Sequence, residues 1–219
     1  TEDNDITLSI QTENDQLQGL SHGVKCGEKT FIDTFIINRS FILQLMEWYS
    51  SIDYLDIFDI IKRDFTKFHV NLYEFNGSAY NIHSIQSYFD TNLKLLDTAT
   101  SDELFKVEAP IITKVQDAAP TRYLAGSNVR NSLISAGSVI EGTVENSILS
   151  RDVIVQKGAV IRNSIIMKSC VIEAGAQIEY SIIDRNNTIK HNTTFKGSPD
   201  AIFIEKKKIT NDYSRGRVL

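Results

Sequence analysis

The chain has 219 residues and a net charge of −5, enough for one larger domain or two modest ones. No apolar run approaches the roughly 20 residues of a membrane span and no signal peptide opens it, so neither a spanning nor an exported protein is indicated. Its two cysteines, Cys26 and Cys170, lie far apart; they suggest neither a disulfide framework nor a zinc site and make a reducing cytoplasm the default. The charge is uneven, because from Arg185 onward eight Lys or Arg face three Asp or Glu. An acidic body with a basic end argues against nucleic acid as the partner. It leaves room for a local anion site, or simply for a solvated tail.

Residues 1–120 read as mixed α/β. ITLSIQ from Ile6 alternates like a strand, and a weaker strand covers Leu17–Ser21. TFIDTFIIN from Thr30 is rich in β-formers, and Asn38 or Ser40 is placed to cap a following helix, FILQLMEWY. YLDIFDIIKRDF from Tyr54 is amphipathic, with Ile57, Ile60 and Ile61 on one face. FHVNLYEF from Phe68 alternates as a further strand. SIQSYFDTNLKLLD from Ser84 predicts a helix capped by Ser84, with Ile85, Tyr88, Phe89, Leu93 and Leu96 on its buried side. So few strands cannot close a nucleotide-binding sheet, so residues 1–98 are expected to be the later part of an α/β domain. Thr1 opens in mid-pattern, as a fragment would. Residues 99–125, containing Pro110 and Pro120, are expected to form an extended link.

Residues 126–219 carry the strongest signal. NSLISAGSVIEGTVE from Asn131, NSILSRDVIVQKGAVIR from Asn146, NSIIMKSCVIEAGAQIE from Asn163 and YSIIDRNNTIKHNTTFK from Tyr180 are four copies of one segment. The first is two residues short; the others share a 17-residue period, the mark of a solenoid. Within it, Leu149, Val155, Ile161, Ile166, Ile172, Ile178, Ile183, Ile189 and Phe195 recur every five or six residues, continuing from Ile134 and Ile140. A helix face returns every 3.6 residues and cannot carry that stripe. Three short strands per turn can, with Gly137, Gly142, Gly158, Gly175, Asn186 and Asn192 at corners that need permissive backbone angles. These segments resemble the degenerate hexapeptide repeats of the left-handed parallel β-helix.

The order of elements, with DII at Asp59–Ile61, YFDTNLKLL from Tyr88, SLISAGSVIEG from Ser132 and SIIDRN from Ser181, resembles the C-terminal part of the ADP-glucose pyrophosphorylase (glucose-1-phosphate adenylyltransferase) family. The wording of the repeats is nearest to the GlgD-like, non-catalytic subunits of bacterial glycogen synthesis. The resemblance implies an α/β nucleotidyltransferase portion followed by the β-helix, in a cytoplasmic oligomer that includes a catalytic subunit.

It also implies positions that can be checked one at a time. The family's Gly-rich nucleotide loop has no counterpart here. Its Glu-Lys pair falls near His22 and Gly23, and its glucose-contacting Ser falls at Ile32. The magnesium-holding Asp of its W-x-D-V-G-T segment falls at Asn81, a neutral amide and a poor Mg²⁺ ligand. The chain is therefore expected to hold no catalytic residue, metal or cofactor, with Mg²⁺ confined to a catalytic partner. Arg185 matches a basic residue that contacts sugar-phosphate effectors in the family's last coil, and Lys206 another in its terminal strand. Lys190, Lys207 and Lys208 match no family position and are candidate supporting cations by charge alone. The plainer reading keeps all of these as solubilising surface charge. Three rival functions remain: part of an active adenylyltransferase, a hexapeptide acyltransferase using His191 as base, or a purely structural oligomerisation module.

Overall fold

The computed structural model describes residues 8–13, 16–22, 29–32, 34, 36–49, 60, 64, 67, 70–108, 110–114 and 117–207. The chain divides into two compact units, Thr1–Asn81 and Ile82–Leu219.

In the first unit, β1 (Leu8–Glu13), β2 (Gln16–His22) and β3 (Lys29–Phe31) form an antiparallel sheet in the order β2-β1-β3, with an irregular register between Gln11 and Thr12. Helix α1 (Arg39–Trp48) starts where the Asn38 side chain accepts a hydrogen bond from the Ser40 amide at 2.9 Å, and it buries Leu45 completely. Most of the amphipathic stretch from Tyr54 lies outside the described residues. Of it, Ile60 and Asp64 are buried, and Asp64 accepts the Tyr49 hydroxyl at 2.7 Å and pairs with Lys67 at 3.1 Å. The strand expected from Phe68 is not formed across its described part; residues 70–76 hold one bridging residue, Asn71, and are otherwise irregular. Alternation prepares a strand for a half-buried face, but only a neighbouring ladder holds it extended.

The second unit opens with α2 (Ile85–Lys94), started by a reciprocal cap in which Ser84 and Ser87 satisfy each other's amides, and continues into α3 (Thr98–Leu104), capped by Asp97. The span expected to be a plain extended link therefore contains a helix. Asp97 accepts the Thr100 amide, which satisfies a donor that would otherwise favour unwinding the first turn. Phe89 on α2 packs with Ile165 and Ile182 on the solenoid, and Tyr88 and Leu93 lie against the same patch. Gln86 Nε2 also donates to the Pro199 carbonyl at 2.9 Å. α2, read from sequence as the end of the α/β domain, is thus joined to the β-helix. Ile85, expected on the buried side, is 53% exposed because the first helical residue lies beyond that patch.

Among the described residues the solenoid has five levels of three strands. They run β4 (Arg122–Tyr123), β5 (Asn128–Arg130), β6 (Leu133–Ile134); β7 (Val139–Ile140), β8 (Thr143–Glu145), β9 (Ile148–Leu149); β10 (Ile154–Val155), β11 (Val160–Arg162), β12 (Ile165–Ile166). The upper levels are β13 (Val171–Ile172), β14 (Gln177–Glu179), β15 (Ser181–Ile183); and β16 (Thr188–Ile189), β17 (Thr194–Lys196), β18 (Phe203–Glu205). Each strand pairs in parallel with its equivalents one level away, giving three five-stranded sheets. The register places Ile154 opposite Val171, Ile161 opposite Ile178 and Ile165 opposite Ile182.

The apolar stripe read from the sequence is the core. Ile140, Leu149, Val155, Ile161, Ile166, Ile172, Ile178, Ile183 and Ile189 are each at most 3% exposed, with Ile134 and Phe195 partly covered at the ends. At about 1.5–3 kcal/mol for each side chain taken from water, this column outweighs any local contribution in the unit. Val153, Ala159, Cys170 and Ala176 fill the corners behind it.

Corners follow two recipes. Asn131, Asn146, Asn163 and Tyr180, which open the four repeats, have φ of 43–46°, and Gly137, Gly158 and Gly175 have φ of 72–83°. Gly142 does not share that conformation, contrary to the expectation. Its corner joins β7 to β8 through only Glu141 and Gly142, where the later levels use four residues. A Cβ there would strike the carbonyl oxygens of Ala159 and Gln156 on the next level.

A serine column adds the second recipe. Ser147, Ser164 and Ser181 are fully buried; each hydroxyl donates to the carbonyl two residues earlier. Ser132, Ser147 and Ser164 each also accept an amide from the next level, at 3.1–3.2 Å. Every buried hydroxyl and amide in the column is thereby paired, which is the condition for burying polar groups at all.

Candidate functional site

The predicted anion-site residues are distributed over two corners of the solenoid. Arg185 sits in the corner between β15 and β16, residues 184–187. β18 pairs beside β15 with Ile183 opposite Glu205, so the chain leaving β18 carries Lys206 and Lys207 along the same corner. Asp184 fixes this junction. One of its carboxylate oxygens accepts the Arg185 amide at 2.7 Å and the other the Lys207 amide at 3.2 Å. Arg185, Lys206 and Lys207 are all exposed, so three cations share one edge with the Asp184 carboxylate turned onto backbone. Lys208 lies outside the described residues.

Lys190 belongs to the next corner, between β16 and β17. Its Nζ is 2.9 Å from Glu173 Oε1, and the His191 amide donates to Glu173 Oε2 at 2.9 Å. These contacts, the Lys190 hydrogen bond first, hold the Glu173 carboxyl below its ordinary range. His191 is exposed, with its Nδ1 3.7 Å from the same carboxylate. The structure thus groups Arg185 with Lys206 and separates both from Lys190.

Asn81 ends the first compact unit, exposed in the irregular segment before α2. Ile32 is 46% exposed; His22 ends β2, and Gly23 lies outside the described residues. Among the described residues, no group of three His, Cys, Asp or Glu side chains is placed to hold a metal ion, and no helix is long and apolar enough to cross a membrane. The concavity lined by Val160, Ile178, Phe195 and Lys196 offers about 40 Å³, room for water and little else.

Sequence reasoning missed a feature that becomes plain once coils are stacked. Arg151, Lys168 and Arg185 are each the sixth residue of a repeat. Ser169 N–H donates to the Arg151 carbonyl and Asn186 N–H to the Lys168 carbonyl, both at 3.0 Å, so the three stand directly above one another. The 17-residue alignment already held this signal. The apolar phase of the repeat is the stronger of the two and masks the charged one.

Comparison with known proteins agrees with this architecture. Residues 119–200 match the GlmU-like, C-terminal hexapeptide family. The chain is 32% identical over 131 residues to the glycogen biosynthesis protein GlgD of Bacillus subtilis, covering 60% of this chain and 38% of that protein. It is 39% identical over 130 residues to GlgD of Geobacillus stearothermophilus, covering 59% and 38%. Against the glucose-1-phosphate adenylyltransferase of Mycoplasma mobile it is 34% identical over 89 residues, covering 41% of this chain and 23% of that enzyme. The chain thus spans well under half the length of the curated relatives it matches. Five levels of parallel strands and a buried 17-residue aliphatic phase agree with the match of residues 119–200 to the GlmU-like, C-terminal hexapeptide family, on a chain similar over part of its length to GlgD and to glucose-1-phosphate adenylyltransferases.

Proposed function

We propose that this chain is part of a non-catalytic regulatory or scaffolding subunit of glucose-1-phosphate adenylyltransferase, acting in cytoplasmic glycogen synthesis. The observation that carries the reading is the similarity to two GlgD proteins across about 60% of the chain. Asn81 supports it, since the position it matches in the catalytic subunits is a carboxylate that holds Mg²⁺. Mg²⁺ and the nucleotidyl-transfer chemistry then belong to the catalytic partner. In this reading the β-helix packs against that partner within an oligomer. Arg185 and Lys206 take the phosphate of a sugar-phosphate effector, Arg through its planar fork and Lys as a point charge. Regulation of this kind requires the partner's two states to be contacted differently.

Co-expression of the full-length protein with a catalytic subunit tests it. The expected result is a mixed complex of defined mass whose affinity for substrate or effector differs from that of the catalytic subunit alone. Failure to co-purify, with unchanged kinetics, overturns it. The similarity to the Mycoplasma mobile enzyme favours a second reading, part of an active adenylyltransferase. Turnover of ATP and glucose-1-phosphate by the full-length protein without any partner would establish that reading instead.

A further inference from the structure

The solenoid treats charge differently at its different corners. Entering the corner that opens each repeat, successive levels carry Arg130, Glu145, Arg162, Glu179 and Lys196. Signs alternate there, and they pair between levels: Arg162 Nε lies 2.8 Å from Glu145 and Lys196 Nζ 3.4 Å from Glu179. The corner holding Arg151, Lys168 and Arg185 does the opposite, stacking one sign over three levels, with Lys206 and Lys207 continuing it onto the last. Neighbouring levels are about 4.8 Å apart, the spacing of paired strands. Like charges so stacked repel one another.

The carboxylates of this corner, Asp152 and Asp184, offset the cations only in part. Both oxygens of Asp184 accept backbone amides, and Asp152 lies over Gly137 one level below. Among the described residues, Lys168, Arg185, Lys206 and Lys207 enter no ion pair. Between the cations the corner presents Ser150, Ser169 and Asn186, all hydrogen-bonding side chains. Among its described residues it offers no exposed aromatic ring for a nucleobase and none of the large apolar anchors on which protein interfaces depend.

We propose that this corner is a binding ridge for a linear anion with several phosphates in series, held by Lys168, Arg185 and Lys206. A single phosphate neutralises one level; only an anion extended along the solenoid axis neutralises all three. The ridge shares Arg185 and Lys206 with the effector reading but requires no catalytic partner. Its test, on the chain alone, therefore fails or succeeds independently of complex formation.

The experiment is calorimetric titration of the full-length protein with inorganic tripolyphosphate, orthophosphate and a single-stranded oligonucleotide. Tripolyphosphate is expected to bind at least about tenfold more tightly than orthophosphate, with affinity falling as salt rises. Lys168→Ala should weaken it by about tenfold, the worth of one charge-assisted hydrogen bond. Lys168→Arg should retain binding, and Lys190→Ala, at the neighbouring corner, should change nothing. No binding, equal affinity for orthophosphate, an equal loss in Lys190→Ala, or tighter binding of the oligonucleotide would each overturn the proposal.

Discussion

Single residues in this solenoid are judged by what stands one level away. Ser164 makes the point: its hydroxyl donates to the Arg162 carbonyl at 2.6 Å and accepts the Ser181 amide at 3.1 Å. Ser164→Ala strands that buried amide and should cost about 1–3 kcal/mol, read as a lower midpoint in urea unfolding. The two kinds of corner glycine should separate in the same assay. Gly142→Ala drives a methyl group into the Ala159 and Gln156 carbonyls and should cost about 1–3 kcal/mol. Gly158→Asn should stay within about 1 kcal/mol of the parent, because Asn192 already occupies the equivalent corner with a φ of 54°. A small loss at Gly142 would show that the short corner can relax. Glu173 provides a pH test. Its folded pKa is lowered, so the stabilisation it confers is complete above the ordinary value of 4.5 and is lost as pH falls through the lower folded value. The amide signals of Lys190 and His191 should therefore move in that acidic window, and Glu173→Gln should abolish the movement.

At the scale of elements, legibility followed how much each element depends on distant contacts. The β-helix was readable because every apolar position repeats at the same phase, and Ile161, Ile166, Ile172 and Ile178 fall inside as that phase requires. α2 was readable through Ser84 and Ser87, whose cap is local. Its place in the molecule was not, because Phe89 meets Ile165 and Ile182 across more than 75 residues of chain. Tyr180 shows the same blindness in miniature. It breaks the Asn-Ser opening of the repeats while keeping their left-handed φ, because its ring joins the apolar patch under α2. α3 was hidden by the two prolines beyond it, which coloured the whole stretch as extended. The candidate anion residues were legible only through family resemblance, and their grouping depended on β18 pairing with β15. Phe89→Ala should cost about 3–5 kcal/mol and raise amide exchange in α2 before it does so in the coils. Uniform loss of protection across coils and helix together would show instead that α2 is integral to the solenoid's cooperativity.

For the whole molecule, stacking makes stability nearly additive by level, since each coil touches only the coils on either side. Amide exchange should then be slowest around Ile161–Ile172 and quicken toward β4 and β18, which among the described residues have a paired strand on one side only. The short corner at Glu141–Gly142 has a further effect on such a chain. Three of the four repeats are equal in length, and by itself their pattern would let the thread settle one storey out of step with little loss of burial. The repeat missing two residues acts as a keyed tooth: it seats against Ala159 and Gln156 at a single storey and spoils the fit at any other. A deficit of two residues thus gives an otherwise self-similar spiral a fixed address for every coil, and it is that address that brings Arg151, Lys168 and Arg185 into line.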